Sequence, residues 1–459
     1  MSLSAPSGCT GFNCESVQWE RARPYAPLSL AGETQKLLHV QQERVDTLRR
    51  ENSVREPYPS ACGSLPLDIL GLIATTLVAV DPCGIWSFRS VCRAWGEAAI
   101  CTPRAWSKVH FEKPRAFEQT RAWVHRAKAV PIELAVTHSE AVHPGLQSVL
   151  VGRRILKLHT PVGLLKSDTY NGAKICGLDT LSVHCSDQEE VGPLLDQLLS
   201  SSTQPSILQR LNLRGMIANP DPTTLLHLKA LYLTLSTLWL ADFAILIQSL
   251  SGTLRNLHLQ QCNILPGRRG WGNTFTQASP VTLPHLTDLA MITGSDQTEV
   301  WGHRFFQHED LLSLVTSPKL KRITCSSNLL NTARDKFEET VEEVGVVLIC
   351  GGNDDDGRKA FGKAYCWKNL QKLQLIGPAT KLKCALAALQ DARFKLRMGI
   401  EEFVFLVEVS EESKEGDSLV PLVNMAEKLT ECLKDSGRSE VVCAIKRRSM
   451  VGYGVSWIE

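Results

Sequence analysis

The chain has 459 residues, of which 43% are hydrophobic and 21% are charged, and its 50 basic and 48 acidic side chains leave a formal net charge of +2. This composition is typical of a globular chain with a substantial core, and the length allows two or three domains. The nearly balanced charge gives no overall field that would attract nucleic acid or an anionic membrane, and no basic run carries interleaved aromatic residues. We therefore expect no nucleic-acid partner and no membrane partner.

The N-terminal residues 1–16 lack the basic segment and following apolar stretch of a secretory signal. The longest apolar runs, such as Phe403–Val407, fall far short of the roughly 20 residues that span a bilayer. We therefore expect the protein to be cytoplasmic or nuclear.

The 15 cysteines are scattered from Cys9 to Cys443. An odd number without tight spacing argues against a disulfide framework, and no pair has the two-residue gap of a zinc knuckle. We expect reduced thiols that are mostly buried and act as small hydrophobic side chains, and no metal site.

The N-terminal segment divides into two parts before the first dense apolar block. Residues 1–32 contain Ser, Gly and Pro but few large apolar groups, which predicts a disordered tail. Residues 33–56 carry a charged helix, predicted over Glu33–Asn52 because that stretch has no Gly or Pro. Its apolar heptad positions cover less than three heptads. They fit either a short coiled-coil dimer or a single amphipathic helix packed on the next domain.

A helical block follows within residues 60–111. Pro66 and Asp68 suit the first turn of a helix, and Asp81–Pro82 suits the start of a second one. The apolar residues of the first helix are Ile69, Leu70, Leu72, Ile73 and Leu77, and one face of the second is predicted to contain Ile85, Phe88, Val91, Cys92 and Trp95. Trp106 closes the block. So short a block can hardly bury enough apolar surface to be stable alone, so its remaining apolar face must meet a partner or the neighbouring domain.

A six-residue pattern, apolar-x-x-apolar-x-apolar, recurs through the rest of the chain. Its copies are Leu178–Val183, Leu208–Leu213, Leu235–Leu240, Leu254–Leu259, Leu286–Met291, Leu320–Cys325 and Leu370–Leu375. The helix-like stretches between them are Val191–Leu199, Phe243–Leu250, Glu309–Val315, Lys336–Val344 and Lys383–Ala392. The last two apolar positions alternate, so both point inward from a short strand, and the first fills the turn before it. One such unit cannot bury its own face, whereas a stack of them can.

These observations predict an α/β fold in which residues 130–459 form an irregular solenoid of short parallel strands with helices outside, similar to leucine-rich repeats. A strand, a helix and a strand form the terminal cap: Phe403–Val409, Pro421–Leu433 and Val441–Ile445. The competing interpretation is a doubly wound α/β enzyme domain. It is favoured only by Val346–Ile349, which precedes Gly351 and Gly352.

A search for catalytic motifs gives no candidate. The sequence has no nucleophile elbow, no phosphate-binding loop with Lys and no His-Glu-x-x-His helix. The acidic run at 351–357 lacks the acid spacing of a calcium loop and predicts a solvated turn, and the 12 histidines are dispersed. The basic loop Arg268–Asn273 is either a recognition element or a loop whose Trp packs on the solenoid. We expect a protein that is not an enzyme, with no catalytic residue, no cofactor and no metal.

The helical block resembles the F-box, the module by which substrate receptors attach to a Skp-type adaptor in cullin-based ubiquitin ligases. Its opening, Leu65-Pro66-Leu67-Asp68-Ile69-Leu70, and its close, Val91-Cys92-Arg93-Ala94-Trp95, carry the resemblance. The following Thr102–Trp106 is similar to a tail frequent in F-box proteins of mushroom-type (basidiomycete) fungi, which typically continue into degenerate leucine-rich repeats. Two positions depart from the pattern. Gly71 stands inside a helix, where Gly costs ~1 kcal/mol relative to Ala, and Ala74 replaces a larger residue.

The resemblance implies a substrate-recognition adaptor with an F-box at 60–111 and a leucine-rich-repeat-like domain at 112–459. Its partners would be the Skp-type adaptor, through it a cullin, and an unidentified protein substrate. The residues implied in the adaptor contact are Leu65, Pro66, Ile69, Leu70, Ile73, Val91, Cys92 and Trp95. Helical spacing alone leaves open whether Val91 and Trp95 belong to the core instead. Two alternatives remain: an α/β enzyme or ligand-binding protein with an N-terminal helical subdomain, and a scaffold that binds without ubiquitin transfer.

Overall fold

The computed structural model divides the chain into two units, residues 1–66 and 67–459. It describes residues 43, 47, 65–81, 83–111, 117–137, 145–170, 173, 175, 177–185, 192–200, 207–215, 222–265, 280–293, 308–348, 367–390, 401–409, 424, 427 and 442–449. In the first unit, Glu43 and Thr47 are helical, and the Thr47 hydroxyl donates a hydrogen bond of 2.7 Å to the carbonyl of Glu43. The predicted tail and the rest of the predicted helix lie outside the described residues.

The second unit begins with α1 (Leu67–Val80), α2 (Gly84–Ser90), α3 (Arg93–Cys101) and a 3-10 helix at Pro103–Trp106. The single helical face predicted from Ile85 to Trp95 is wrong, because α2 ends at Ser90 and Cys92 is extended, with φ −163° and ψ 174°. The Ser90 hydroxyl donates to the carbonyl of Ser87 at 2.7 Å, a local bond that competes with continuation of the helix.

Small residues in α1 allow the end of α3 to approach closely. Gly71 and Ala74 are both fully buried, and a Cβ atom on Gly71 would lie 2.7 Å from Oγ1 of Thr102. That hydroxyl is held in place because it donates to the carbonyl of Ala98 at 2.7 Å. The departure at Gly71 is therefore a packing requirement of this chain's own helices, and Ala74 also lies in the core.

The main sheet contains thirteen parallel strands, and each strand pairs with the next main-sheet strand along the chain. Its strands are β1 (Lys108–Phe111), β2 (Ile132–Val136), β3 (Ile155–Pro161), β4 (Thr180–His184), β5 (Arg210–Arg214), β6 (Ala230–Thr234), β8 (Asn256–Gln260), β11 (Asp288–Ile292), β13 (Arg322–Ser326), β14 (Glu343–Val347), β15 (Lys372–Gly377), β16 (Glu402–Val409) and β17 (Val442–Ser449). Two short parallel pairs accompany it: β7 (Thr237–Trp239) with β9 (Asn263–Leu265), and β10 (Val281–Thr282) with β12 (Val315–Thr316). The order of the described strands never reverses, whereas a doubly wound sheet has a reversal point.

Helices connect many of these strands, as expected for parallel pairing. They are α4 (Phe117–Arg126), α5 (Leu146–Leu150), α6 (Val162–Leu165), α7 (Gly192–Ser200), α8 (Leu240–Ser249), α9 (His308–Leu314), α10 (Leu330–Phe337) and α11 (Ala379–Gln390), with 3-10 turns at Asp168–Tyr170 and Pro222–Leu225. The helix predicted over Lys336–Val344 is wrong, because α10 ends at Phe337 and β14 begins at Glu343. The fold is thus α/β with a parallel sheet and connecting helices.

The recurring leucine pattern locates most of the main strands. In six of its seven copies the last two apolar positions fall in a main strand and are buried, as Leu211 and Leu213 are in β5. The copy at Leu235–Leu240 is misplaced, because Leu235 is exposed with a positive φ of 52° and Leu240 opens α8. The strand there is β6, whose buried Leu231 and Leu233 follow Leu228 in the same pattern seven residues earlier.

The C-terminal part follows the predicted order of strand, helix and strand. Strands β16 and β17 pair in parallel, and Asn424 and Glu427, which lie between them in the chain, are helical. The loop at 268–273 and the acidic run at 351–357 lie outside the described residues. Among the helices that the structure describes, none combines the length and the apolar character needed to cross a membrane.

The seven described cysteines are free thiols. The prediction that they are mostly buried is wrong for this set, because only Cys262 and Cys325 are fully buried. Burial raises the pKa of each of these two thiols to about 12, since the core disfavours the thiolate. Both act as small core side chains.

Candidate functional site

Exposed apolar side chains are concentrated in the N-terminal helices. Fourteen large apolar side chains are exposed among the described residues, and nine of them lie between Leu65 and Ile100. Those of the second unit are Leu67, Ile69, Leu72, Ile73, Val80, Trp86, Val91 and Ile100, and we call them the exposed apolar set. Solvent-facing side chains of this size are normal singly, whereas a concentration of them marks an interaction surface.

Helix α1 has two apolar faces, one inside and one outside. Leu70, Ala74 and Val78 recur every four residues and are buried in the core. Ile69 and Ile73 also lie four residues apart, on the face of the helix next to the buried one, and are 41% and 37% exposed. Because one apolar face of α1 is already buried in the core, the exposed apolar face is available to pack against another element or a partner.

The structure divides the eight residues implied in the adaptor contact into three groups. Leu65, Pro66, Ile69, Ile73 and Val91 are exposed. Cys92 and Trp95 are half-buried, and the Trp95 ring lies 4.6 Å from the Phe88 ring, so part of its surface is used inside the bundle. Leu70 is completely buried, and in the free chain it belongs to the core.

Sequence reasoning left Leu67, Leu72, Val80, Trp86 and Ile100 out of the implied contact, although all five are exposed apolar residues. For Leu72 the sequence contains a signal in its helical spacing. Leu72 and Ile73 lie three and four residues after Ile69, the two spacings that bring side chains together on a helix surface. The exposure of the other four depends on tertiary packing, which helical spacing does not determine.

Polar contacts fix the ends of these helices. Lys108, in β1, donates from Nζ to the carbonyl of Ala79 at 2.8 Å, which places a positive charge near the C-terminus of α1. Arg93 and Glu97 form an ion pair of 2.8 Å along α3, but both side chains are exposed, so the pair contributes little to stability. The Lys108 bond joins the end of α1 to the first strand of the sheet, and Ile69 and Ile73 remain exposed.

A second surface with functional potential is the polar face of the main sheet, defined as the strand residues that alternate with the buried leucines. Its middle row runs through His110, His159, Ser182, Asn212, Tyr232, His258, Thr324 and Gln374. The rings of Tyr232 and His258 are 4.6 Å apart on neighbouring strands, and those of His159 and His184 are 6.2 Å apart. Nε2 of His184 lies 3.0 Å from the carbonyl of Thr137.

Ion pairs across neighbouring strands occupy the outer row of the polar face. Arg322 lies 2.9 Å from Asp288 on one side and 2.8 Å from Glu343 on the other. The hydrogen bond that Arg322 donates to Glu343, ahead of the charge of Asp288, raises the pKa of Arg322. Similar pairs join Lys157 to Glu133 at 2.9 Å and Lys372 to Glu402 at 2.7 Å. These charges neutralise each other and align neighbouring strands.

Cavities lie over this face in the part of the chain that the structure describes. A shallow one of about 330 Å³ covers β1 to β4, and its polar lining includes Lys108, His110, Lys157 and His159. A smaller one of about 40 Å³ is lined by residues of β4 to β11, among them Tyr232 and His258. Desolvation, followed by the charge of Arg322, lowers the pKa of His258 to about 4, so this imidazole is neutral at pH 7.

Comparison with known proteins leaves the family open. Neither a protein-family model nor a curated protein matches this sequence. The exposed apolar set and the polar face of the sheet are therefore the surfaces from which we infer a function.

Proposed function

We propose that this chain is a substrate-recognition adaptor of a Skp–cullin–F-box ubiquitin ligase. In this proposal residues 60–111 are the F-box, which binds a Skp-type adaptor and through it a cullin. Residues 112–459 are a leucine-rich-repeat-like solenoid that binds a protein substrate, and the complex acts in the cytoplasm or the nucleus.

The observation that carries the proposal is the concentration of exposed large apolar side chains between Leu65 and Ile100. Burying one such side chain completely is worth about 1.5–3 kcal/mol. Several of them on one short module would supply the apolar centre that stable protein interfaces need. The resemblance of residues 65–95 to the F-box indicates which partner this is, namely a Skp-type adaptor.

The topology of the sheet supports the second half of the proposal. Each main strand pairs only with its sequence neighbours among the main strands, which is the arrangement of a repeat array that stacks one unit on the next. Such an array presents one long row of side chains, here the polar face, to an extended partner. A substrate held there is tethered to the ligase, and its effective concentration at the ubiquitin donor rises.

Paired surface variants test the proposal by separating the two binding partners. The double variant Ile69→Glu/Ile73→Glu places charge on the exposed side of α1, and Arg210→Glu reverses an exposed charge on the polar face. We expect affinity purification with the first variant to lose the Skp-type adaptor and cullin but to keep substrate candidates. We expect purification with Arg210→Glu to keep the adaptor and cullin but to lose substrate candidates. Recovery of the adaptor at background level with the unaltered chain would refute the proposal.

The matched control is Ile245→Glu, because Ile245 is 56% exposed on α8, a helix of the sheet region. It adds the same charge to an exposed apolar helix position outside the exposed apolar set. We expect it to bind both partners. Adaptor binding without ubiquitin transfer to any captured protein would point to the scaffold alternative.

A second candidate function, an α/β enzyme or ligand-binding protein, is favoured by the 330 Å³ cavity with its histidines and lysines. Its volume lies at the lower end of small-molecule sites. A small molecule that raises the melting temperature of the unaltered chain, but not that of the His159→Ala variant, would support this function. We expect no such compound if the polar face binds a protein.

A further inference from the structure

Three tryptophans and two arginines form a cluster where the N-terminal helices meet the sheet region. Trp86 and Arg89 lie on α2, Trp106 ends the 3-10 helix, and Trp123 and Arg126 lie on α4. The three indole rings are 5.9–6.2 Å apart, each in contact range of the other two. Trp106 and Trp123 are buried, whereas Trp86 is 39% exposed, so the cluster reaches the surface.

Both guanidinium groups lie over the same indole. Cζ of Arg126 is 4.5 Å from the ring centre of Trp106, and Cζ of Arg89 is 5.7 Å from it and 5.2 Å from that of Trp86. The cation–π attraction holds each charge, but it also brings two positive charges together. Burial, followed by the charge of Arg89, lowers the pKa of Arg126.

The cluster contains hydrogen-bond donors that lack acceptors. Within the part of the chain that the structure describes, neither Arg89 nor Arg126 has an ion pair or a hydrogen bond. Nε of Arg89, Nη1 of Arg126 and Nε1 of Trp123 are enclosed without an acceptor. Trp106 differs, because its Nε1–H donates to the carbonyl of Ala99 at 2.7 Å. An enclosed donor without an acceptor is costly, and a charged one more so.

We propose that Arg89 and Arg126 bind an oxyanion at the edge of the tryptophan cluster. An indole ring attracts a guanidinium group but accepts few hydrogen bonds from its five N–H groups. N–H groups at the edges of both guanidinium groups are therefore still available to hydrogen-bond a ligand. Both arginines are partly exposed, so an incoming oxyanion reaches them from the solvent side. Carboxylate and phosphate share this chemistry, since either offers two oxygen atoms to a guanidinium fork. The ligand neutralises the repulsion between the two cations and accepts hydrogen bonds from the N–H groups of both arginines that face the solvent.

The test measures the melting temperature of the full chain against increasing inorganic phosphate or acetate, with chloride holding the ionic strength constant. An anion that binds only the folded state raises the melting temperature progressively. We expect phosphate, acetate or both to do so in the unaltered chain and in Arg104→Lys, an exposed arginine of the same 3-10 helix. Phosphate also stabilises folded proteins in general, because it is excluded from the protein surface. The difference in response between the variants therefore distinguishes specific binding from this general effect.

The variants Arg89→Lys and Arg126→Lys keep the positive charge but lose the guanidinium fork. We expect each to raise the anion concentration needed for a given shift by at least about tenfold, the effect of lost hydrogen bonds to a charged group. A response to acetate identifies carboxylates as ligands, and a response to phosphate alone identifies phosphate groups. If the unaltered chain and both lysine variants respond alike to both anions, the proposal is overturned. Because lysine retains charge and length, these variants leave a folded protein to compare.

Discussion

At the scale of single residues, the packing of α1 depends on Gly71. A Cβ atom there would meet Oγ1 of Thr102 at 2.7 Å, well inside ordinary contact distance. Gly96 in α3 is a contrasting position, because the nearest atom to its Cβ would be the carbonyl oxygen of Arg89 at 3.5 Å. The two glycines lie in neighbouring helices, but only Gly71 is needed for the close approach of Thr102 to α1.

We predict opposite effects for alanine at these two positions. Gly96→Ala should stabilise the fold by up to about 1 kcal/mol, because alanine favours helix. Gly71→Ala should destabilise it despite the same gain, because the added methyl displaces Thr102. Chemical denaturation of both variants measures this. Thr102→Ala combined with Gly71→Ala should recover much of the loss, and a stabilising effect of Gly71→Ala alone would contradict the packing.

His258 on the polar face should make stability depend on pH. Its folded-state pKa of about 4 lies below the usual 6.5, so the unfolded chain binds a proton first as the pH falls. Stability should decrease from about pH 6.5 down to about pH 4, by roughly 3 kcal/mol in total from this group, and not further below that. Urea unfolding of the unaltered chain and of His258→Gln over this range provides the measurement. Equal pH slopes in both proteins would show that His258 is not the group responsible.

At the scale of elements, the leucine pattern places strands well because it reflects a physical requirement. Two alternating apolar side chains fill one layer of the core, as Leu257 and Leu259 do in β8. The pattern fails at Leu235 because two successive windows, 228–233 and 235–240, satisfy it, and only the pairing of Ala230 with Asn256 selects the earlier one. The seven copies recognised in the sequence also omit β14, although Val341, Val344 and Val346 have the same spacing and are buried.

The strand core should be sensitive to truncation, whereas connecting turns should not be. Leu257 is completely buried, so Leu257→Ala should cost about 2–5 kcal/mol of unfolding free energy. Leu226 lies in a turn before β6 and is 54% exposed, so Leu226→Ala should change stability by no more than about 0.5 kcal/mol. Thermal and urea unfolding of the two variants would distinguish them. Similar losses in both would place Leu257 outside the core.

Helix ends and side-chain exposure are harder to predict than strand centres. The break after Ser90 coincides with the extended backbone of Cys92, which leaves no periodic signal in the sequence. The burial of Leu70 next to the exposed Ile69 follows from which side of α1 the core lies on. Helical spacing groups residues onto faces, but tertiary packing decides which face is covered. The segment that carries the exposed apolar set was therefore predictable, whereas the individual exposed residues were not, and the adaptor contact itself stays a prediction.

At the scale of the whole molecule, two surfaces have different characters. The exposed apolar set lacks a covering element among the described residues, whereas the outer row of the polar face is filled by mutual ion pairs such as Arg322 with Glu343. The first suits burial against a permanent partner, and the second suits a polar, exchangeable one. This division of roles is what an adaptor between a ligase and its substrates requires.

The most direct test of this account is the equilibrium binding of the purified chain to a recombinant Skp-type adaptor by titration calorimetry. We expect the unaltered chain and Ile245→Glu to bind with the same affinity. Ile73→Glu should weaken binding by at least tenfold, roughly the 1.4 kcal/mol that a charge placed in an apolar interface costs at minimum. No binding by the unaltered chain, or equal binding by Ile73→Glu, would contradict the account.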